Sequence, residues 1–410
     1  MLIKPFSKLL ALLLAKGANS FGFFKNRRIW VIGASGGKKY TDNGAALYRY
    51  ILKNHQEVEI YWIINSDADD ISRVKSEGPF LYRNTLKANL YTLLAEVLIG
   101  THSLPTDVSE YDVKRYKKAL KVFISHGIEG FKVKAPHHAK IHRDFDISVS
   151  VSEFEKNIKV NSWGLSEDKV CITGLPRYDI LEKRKKEKRQ KIRKIFYMPT
   201  WCPEYRKSFE KKYQELTREE ISSFKKEEYF QKIHEFINHP EMLCILKEEG
   251  ISLTIFFHQS INPFMEKIVT LPDPSRMRIA PNGSNIQKIL INSDMLITDY
   301  SSVAWDFLYL DRPIIFFQFD REKHKKVTGS YLQIPEELFG AATENVQDTV
   351  QEIRKITQGE DNYALKREES RKKFIKYHDG RNCERMVNCI LEKLNRSHDR
   401  RNAKTNSGKT

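Results

Sequence analysis

The residues best suited to chemistry lie in Asp299-Tyr300-Ser301-Ser302, which follows the apolar run Met295–Thr298 and precedes Val303, Trp305, Phe307 and Leu308 at helical spacing. The pattern predicts a strand-to-helix turn. Small hydroxyl residues at a helix start leave backbone N–H groups pointing outward, and the helix dipole adds partial positive charge there. Such a turn can seat a phosphate. Taken alone, Ser301 or Ser302 could equally do no more than cap the helix.

Other reactive side chains also follow strand-like runs. Residues 121–124 lead into Ser125-His126-Gly127-Ile128, where glycine lets the backbone approach a ligand and histidine exchanges a proton near neutral pH. Residues 253–257 lead into His258. After 170–172 comes Gly174-Leu175-Pro176-Arg177-Tyr178-Asp179, in which Arg177 can pair with phosphate or close a turn with Asp179. The turn Gly33-Ala34-Ser35-Gly36-Gly37 departs from GxGxxG, and Asn65 stands where a dinucleotide fold needs an acidic residue, so it is read as a tight turn only. His137, His138 and His142 lie in a basic loop without metal-ligand spacing, and no metal site is expected.

Such residues need strands that all point one way. From residue 28 onward short β-branched or aromatic runs alternate with amphipathic stretches, the pattern of a parallel sheet with crossover helices. Strands are expected at 29–32, 58–64, 97–99, 121–124, 147–151 and 170–172. A lysine- and arginine-rich run at 181–194 interrupts the pattern and reads as an exposed helix or linker. Strands resume at 195–198, 253–257, 277–279, 295–298 and 313–317, while 207–240 reads as an inserted helical pair. Two α/β units would enclose a cleft, ligands bind beyond the carboxyl ends of parallel strands, and His126 and His258 would face that cleft from opposite sides.

A length of 410 residues suits two domains, and 40% hydrophobic with 11% aromatic residues excludes a disordered chain. Charged residues at 30% exclude a polytopic membrane protein. The net charge of +17 favours polyanions: nucleic acid, anionic lipid or a phosphate-bearing substrate. The five cysteines are scattered without a CxxC pair, which argues against a disulfide framework or zinc site and fits a reducing compartment. Residues 1–28 contain no acid and carry six basic residues around the apolar run 9–15, too short to span a bilayer. Such a segment suits an anionic membrane surface; packing on the protein's own surface and a cleaved signal peptide, against which the cysteine usage argues, are the alternatives. The tail 397–410 is polar and basic and reads as disordered.

Together these pieces resemble the CDP-glycerol:poly(glycerophosphate) glycerophosphotransferases of teichoic acid and capsule synthesis. The family's ADxLITDYSSxxxDFxxLxRPIIF is nearly reproduced as SDMLITDYSSVAWDFLYLDRPIIF at residues 293–316, most specifically across 294–313. Tyr40-Thr41-Asp42-Asn43 resembles its YxDNS element, His126-Gly127 its WHGTP element, and Gly174 through Asp179 its GxPRND element. Met198-Pro199-Thr200-Trp201 resembles PTW, and His258 matches the histidine of RxHP. The similarity covers residues 28–391. Two elements depart from the pattern: HGTP becomes His126-Gly127-Ile128-Glu129 after Ser125, and RxHP becomes Phe256-Phe257-His258-Gln259 without its arginine.

The resemblance implies an α/β GT-B fold, two Rossmann-like domains with an interdomain cleft. Its boundaries would be a membrane-associating segment at 1–27, an acceptor domain at 28–180, a basic linker at 181–194, a CDP-alditol donor domain at 195–375, a helix at 376–396 and the tail at 397–410. The implied reaction is metal-independent and cofactor-free. An alditol phosphate, glycerol phosphate foremost, passes from CDP-glycerol or CDP-ribitol to a teichoic or capsule-type polymer or a polyprenyl-diphosphate-linked acceptor, releasing CMP. The implied place is the cytoplasmic face of the plasma membrane, peripherally, with no nucleic-acid partner. His126 would be general base or transition-state phosphate contact. His258, also counted as catalytic, would hold the diphosphate with Arg177, Ser301 and Ser302. Asp299 would orient its turn or help bind the donor, and Gly127 and Asn43 would touch substrate. Phosphoryl transfer needs positioning and charge neutralisation above all, which these residue types supply. A GT-B glycosyltransferase using a nucleotide sugar, and a non-catalytic polyanion- or membrane-binding protein, are the competing readings.

Overall fold

In the computed structural model, residues 3–20, 27–109, 118–134, 142–185, 191–200, 217–258 and 260–407 are described. His137, His138, Trp201 and Gln259 lie outside them, as does the first part of the expected insertion at 207–240. The rest of that insertion forms helices Arg218–Lys226 and Glu228–Ile237, followed by Pro240–Glu248.

The chain forms two compact units. The first comprises residues 1–128, 134–183 and 374–410, and the second residues 129–133 and 184–373. Seven strands build the sheet of the first unit: β1 (Ile29–Gly33), β2 (Glu59–Ile64), β3 (Phe80–Tyr82), β4 (Val97–Gly100), β5 (Leu120–Phe123), β6 (Ile147–Ser150) and β7 (Val170–Ile172). Their order is β3-β2-β1-β4-β5-β6-β7, with every pairing parallel. The second unit holds β8 (Lys194–Met198), β9 (Ser252–Ile255), β10 (Met277–Ile279), β11 (Met295–Thr298), β12 (Ile314–Phe317) and β13 (Ala341–Thr343). Its order is β10-β9-β8-β11-β12-β13, again wholly parallel. Counted from its own first strand, this is the 3-2-1-4-5-6 order of a Rossmann sheet.

Helices cover both faces of a parallel sheet, so its central strands read as unbroken apolar runs. β1, β4, β11 and β12 are buried at every residue. The sequence does not reveal β3 and β13. Each is a three-residue edge strand, and β13 is mostly alanine, a weak strand former.

Helix Ile3–Ser20 packs on helix Leu86–Leu94, burying Ala11 and Ala15. Its other side leaves Leu9 and Leu13 each 58% exposed and Leu14 43% exposed. The alternatives of self-packing and an outward apolar face thus coexist on one helix. No helix among the described residues is long and apolar enough to cross a membrane.

The chain returns to the first unit at its end, through helix Asn382–Ser407. That helix runs past residue 396, where the sequence suggests a disordered tail. It buries Cys383, Met386, Val387, Ile390 and Leu394, a stripe at helical spacing, and extending a docked helix gains one hydrogen bond per residue fixed. Asp179 secures its start: one carboxylate oxygen accepts from the Asn382 amide at 2.7 Å and the other from the Cys383 amide at 2.9 Å. Gly174 has φ +76, and a Cβ there would lie 1.9 Å from Asn382 Oδ1, so only glycine fits the junction. Asp179→Ala should cost about 1–2 kcal/mol, the usual scale of a lost cap, and should raise amide hydrogen exchange in the first turns of the last helix. Unchanged protection there would contradict the capping role.

Candidate active site

At the carboxyl ends of β8 and β11 the second sheet reverses its winding, and a buried carboxylate joins the two strand ends. Asp299, just after β11, accepts from the Thr200 amide at 2.7 Å and from the Thr200 hydroxyl, just after β8. It also accepts from the Tyr300 amide. Gln318, beyond β12 and fully buried, donates to the Asp299 carbonyl at 3.2 Å. Burial raises the Asp299 pKa above the usual carboxylate range, opposed by the Thr200 hydrogen bond and the positive charge of Lys132. Asp299 thus orients the turn from within.

The turn carries Ser301 and Ser302 to the start of helix Val303–Leu310. Ser302 occupies the N-cap position with φ −63 and ψ −11, yet its side chain makes no capping hydrogen bond. Ser301 Oγ lies 3.5 Å from the Val303 amide, at the limit of a hydrogen bond. The Ser302 hydroxyl is therefore not spent on capping, while Ser301 keeps a long contact to the helix start. The helix is buried and, Asp306 apart, mostly apolar, with Trp305 packed at 5.0 Å from Phe131 and 5.1 Å from Phe339, so the turn stands on a rigid base.

Around this turn the second unit gathers further titratable groups. His258, beyond β9, keeps much of its surface accessible, its Nδ1 accepts from the Ser260 amide at 3.3 Å, and the protein packed around part of the ring, and then Lys132, lower its pKa. His324 stacks on Tyr300 with centroids 3.5 Å apart and planes 5° apart; burial and then Lys132 lower it to about 4. Burial and then the Asp299 charge raise Asp320 to about 6. Lys132 belongs to the segment 129–133, fixed in this unit by the Gly130 carbonyl, which accepts from the Tyr331 amide at 2.8 Å and the Ser330 hydroxyl at 3.0 Å. A cavity of about 400 Å³ bordered by Ile192, Asp294 and Pro313 lies at the opposite, amino ends of β8, β11 and β12, away from where parallel sheets bind ligands.

The first unit holds the remaining residues named from sequence. Asn43, fully buried, donates to the Ser125 carbonyl at 2.7 Å and accepts from the Arg177 amide at 3.0 Å. Arg177, also buried, pairs with Asp42 at 3.0 Å and donates to the His126 carbonyl at 2.7 Å. Asp42 is held at φ +61, a left-handed conformation that aspartate tolerates better than most residues. These contacts lock three loops together and fix the peptide of His126; Arg177 thereby braces the histidine turn, and Asp179 turns to the last helix. Gly127 closes the turn through its carbonyl, which accepts from the Ser125 hydroxyl at 2.5 Å.

His126 stacks on His102, with centroids 4.9 Å apart and planes 22° apart. Its ring keeps an accessible edge, yet surrounding protein and then the charge of His102 disfavour the cation and lower its pKa to about 4. His102 follows β4, and Asp107, 3.7 Å from its Nδ1, holds its pKa above the usual range. Asp107 also takes the amides of Gly36, Thr101 and His102, and a Cβ at Gly33 would lie 2.1 Å from its carbonyl oxygen, which explains the first glycine of the turn after β1.

The structure therefore places His126, Gly127, Arg177 and Asn43 in one group, and His258, Asp299, Ser301 and Ser302 in another, each at the carboxyl end of its own sheet. Among the described residues no cluster of three or more His, Cys, Asp or Glu side chains is placed to hold a metal ion. His102, Lys132, Asp320 and His324 escape sequence reading, and Thr200 is read only as part of the PTW-like element. Only His102 carried a usable signal, as a histidine just past a strand.

The sequence profile of the CDP-Glycerol:Poly(glycerophosphate) glycerophosphotransferase family matches residues 16–392. The chain belongs to this family. It is 27% identical over 385 residues to the minor teichoic acid biosynthesis protein GgaB of Bacillus subtilis, an alignment covering 91% of this chain and 40% of GgaB. It is 23% identical to the teichoic acid glycerol-phosphate transferase of Staphylococcus aureus, covering 87% of this chain and 91% of that protein. Among solved structures the wall teichoic acid polymerase TagF matches with a TM-score of 0.68 and 18% identity, over 96% of this chain and 97% of that one. The two Rossmann-like units are thus those of a GT-B fold.

In this family member Asp320 yields a pH test. Its folded pKa, about 6, exceeds its ordinary value of 3.8, so between these pH values the native state binds a proton that the unfolded chain has released. The contribution of this group to stability is greatest in acid and is lost as pH rises from about 4 to about 6. Asp320→Asn should flatten that fall and stabilise the protein at pH 7 by on the order of 1–2 kcal/mol. Coincident stability–pH curves for wild type and variant would refute the shifted Asp320.

Proposed function

We propose that this chain transfers an alditol phosphate, glycerol phosphate foremost, from a CDP-alditol to a hydroxyl of a teichoic or capsule-type polymer or of a lipid-linked acceptor, releasing CMP. The observation that carries the reading is the Asp299-Tyr300-Ser301-Ser302 turn. The most specific family motif coincides with a helix start at the switch point of a Rossmann sheet, with the Ser302 hydroxyl unspent on capping. Ser301 and Ser302 hold the donor diphosphate, with His258 and Lys132 beside them. Lys132 supplies cationic charge that the missing arginine of the RxHP element would otherwise bring.

In the reaction the acceptor oxygen attacks the phosphorus that bears the alditol. The bond from that phosphorus to the bridging oxygen breaks, and CMP leaves with the bridging oxygen. The acceptor proton passes to His126, whose neutral imidazole is the form able to receive it. CDP-ribitol is the alternative donor. Leu9, Leu13 and Leu14 with the basic residues near them rest on an anionic membrane surface at the cytoplasmic face, where a lipid-linked acceptor is presented.

Two measurements test this. CMP release from CDP-glycerol should require an acceptor and should fall at least about a hundredfold in His126→Ala, the scale of a lost general base, with the melting temperature unchanged. Robust turnover by that variant would remove His126 from the mechanism. In a thermal-shift panel CDP-glycerol, CDP-ribitol or CMP should raise the melting temperature, because a ligand stabilises the state it binds. A rise with a nucleotide sugar and none with any CDP-alditol would replace this reading by glycosyl transfer.

A further inference from the structure

We propose that His102 is a positioning residue for His126: as an imidazolium held by Asp107 and stacked on the His126 ring, it keeps that second imidazole unprotonated when an anionic donor arrives. The inference rests on the reading of His126 as the base.

The geometry begins with the sheet. β4 and β5 are adjacent and parallel, with Gly100 opposite Phe123, so the loops beyond them bring His102 and His126 out side by side. Two stacked imidazoles 4.9 Å apart cannot both carry charge cheaply. What surrounds them decides which one does. Asp107, whose side chain is fully buried, lies 3.7 Å from His102 Nδ1 and is kept anionic by His102 and by the amides of Gly36, Thr101 and His102. Thr101 Oγ1 lies 2.9 Å from the same nitrogen. Asp42 favours the cation on both rings, and Lys134 disfavours it on both. Arg177 adds its positive charge against His126. Of the two rings His102 is therefore the one whose surroundings favour the proton, and His126 the one they keep neutral.

This division matters because the donor is a diphosphate. Anionic charge close to an imidazole draws a proton onto it and can raise its pKa by one or more units. An isolated histidine beside the incoming donor would be protonated at neutral pH and useless as a base. With the His102 cation in place, the same approach brings His126 up from about 4 toward the working pH, where a general base is most effective.

The test uses the full chain, with the His126 imidazole followed by NMR between pH 5 and 8 and assigned by its loss in His126→Gln. In wild type the ring should remain predominantly neutral to pH 5. His102→Gln should move its titration up by about one unit, and His102→Arg, which restores the charge, should leave it low. The His102 side chain is 45% exposed, so both replacements leave the core intact. Coincident curves for wild type and His102→Gln, or equal shifts in both variants, would overturn the proposal. The acid limb of kcat/KM for CMP release should move in parallel, up in His102→Gln and not in His102→Arg. The NMR measurement needs no turnover: wild type without CMP release would refute the phosphotransferase reading, and the titration would still decide the role of His102.

Discussion

A carboxylate removed from water must be met by donors, and Asp299 is met by the Thr200 amide and hydroxyl and by the Tyr300 amide. Thr200 follows β8 and Asp299 follows β11, the two strands at which the winding of the second sheet reverses. One buried anion thus fixes the spacing of the strand ends and the direction of the chain that leaves β11. The two serines, the stacked Tyr300 and His324, and the apolar helix beginning at Val303 all take their places from that anchor. The cost of burying the charge is visible in the raised pKa values of Asp299 and Asp320. Sites built for chemistry commonly give up stability in this way.

The first unit follows the same logic with the opposite charge. Arg177 is buried against Asp42 and the His126 carbonyl, while Asn43 joins the turns that contain Ser125 and Arg177. His126 therefore hangs from a frame whose every polar member is engaged, and its ring is the part left accessible. Asp107 plays for the loops after β1 and β4 the part that Asp299 plays for those after β8 and β11. Each sheet thus carries one buried aspartate near its switch point, and the reactive side chains are set beside it.

The fold was legible because parallel sheets bury both faces: runs such as Ile29–Gly33 and Met295–Thr298 announce themselves by composition alone. The edge strands Phe80–Tyr82 and Ala341–Thr343 escaped, the second being mostly alanine, although the equally short Val170–Ile172 and Met277–Ile279 did not. Near the turn after β11, the motif drew attention to Asp299, Ser301 and Ser302, while spacing could not tell a capping serine from an unspent one; that distinction lies in φ, ψ and hydrogen bonds. For Arg177 the sequence offers only that guanidinium suits phosphate; its bracing contacts, to Asp42 135 residues away and to the His126 carbonyl 51 residues away, depend on the folded chain. His102 and Lys132 were hidden for a similar reason. Their roles come from neighbours, Asp107 and His126 for one and the fixed segment 129–133 for the other, that only the folded chain brings together.

The central claim is that the turn held by Asp299 seats the diphosphate of a CDP-alditol. Calorimetric titration of CDP-glycerol into wild type and into the double variant Ser301→Ala with Ser302→Ala tests it most directly. A hydrogen bond to a charged group contributes about 1.5–3 kcal/mol, so the account predicts at least a tenfold loss of affinity in the double variant at an unchanged melting temperature. Equal affinity for CDP-glycerol in the two proteins would contradict it.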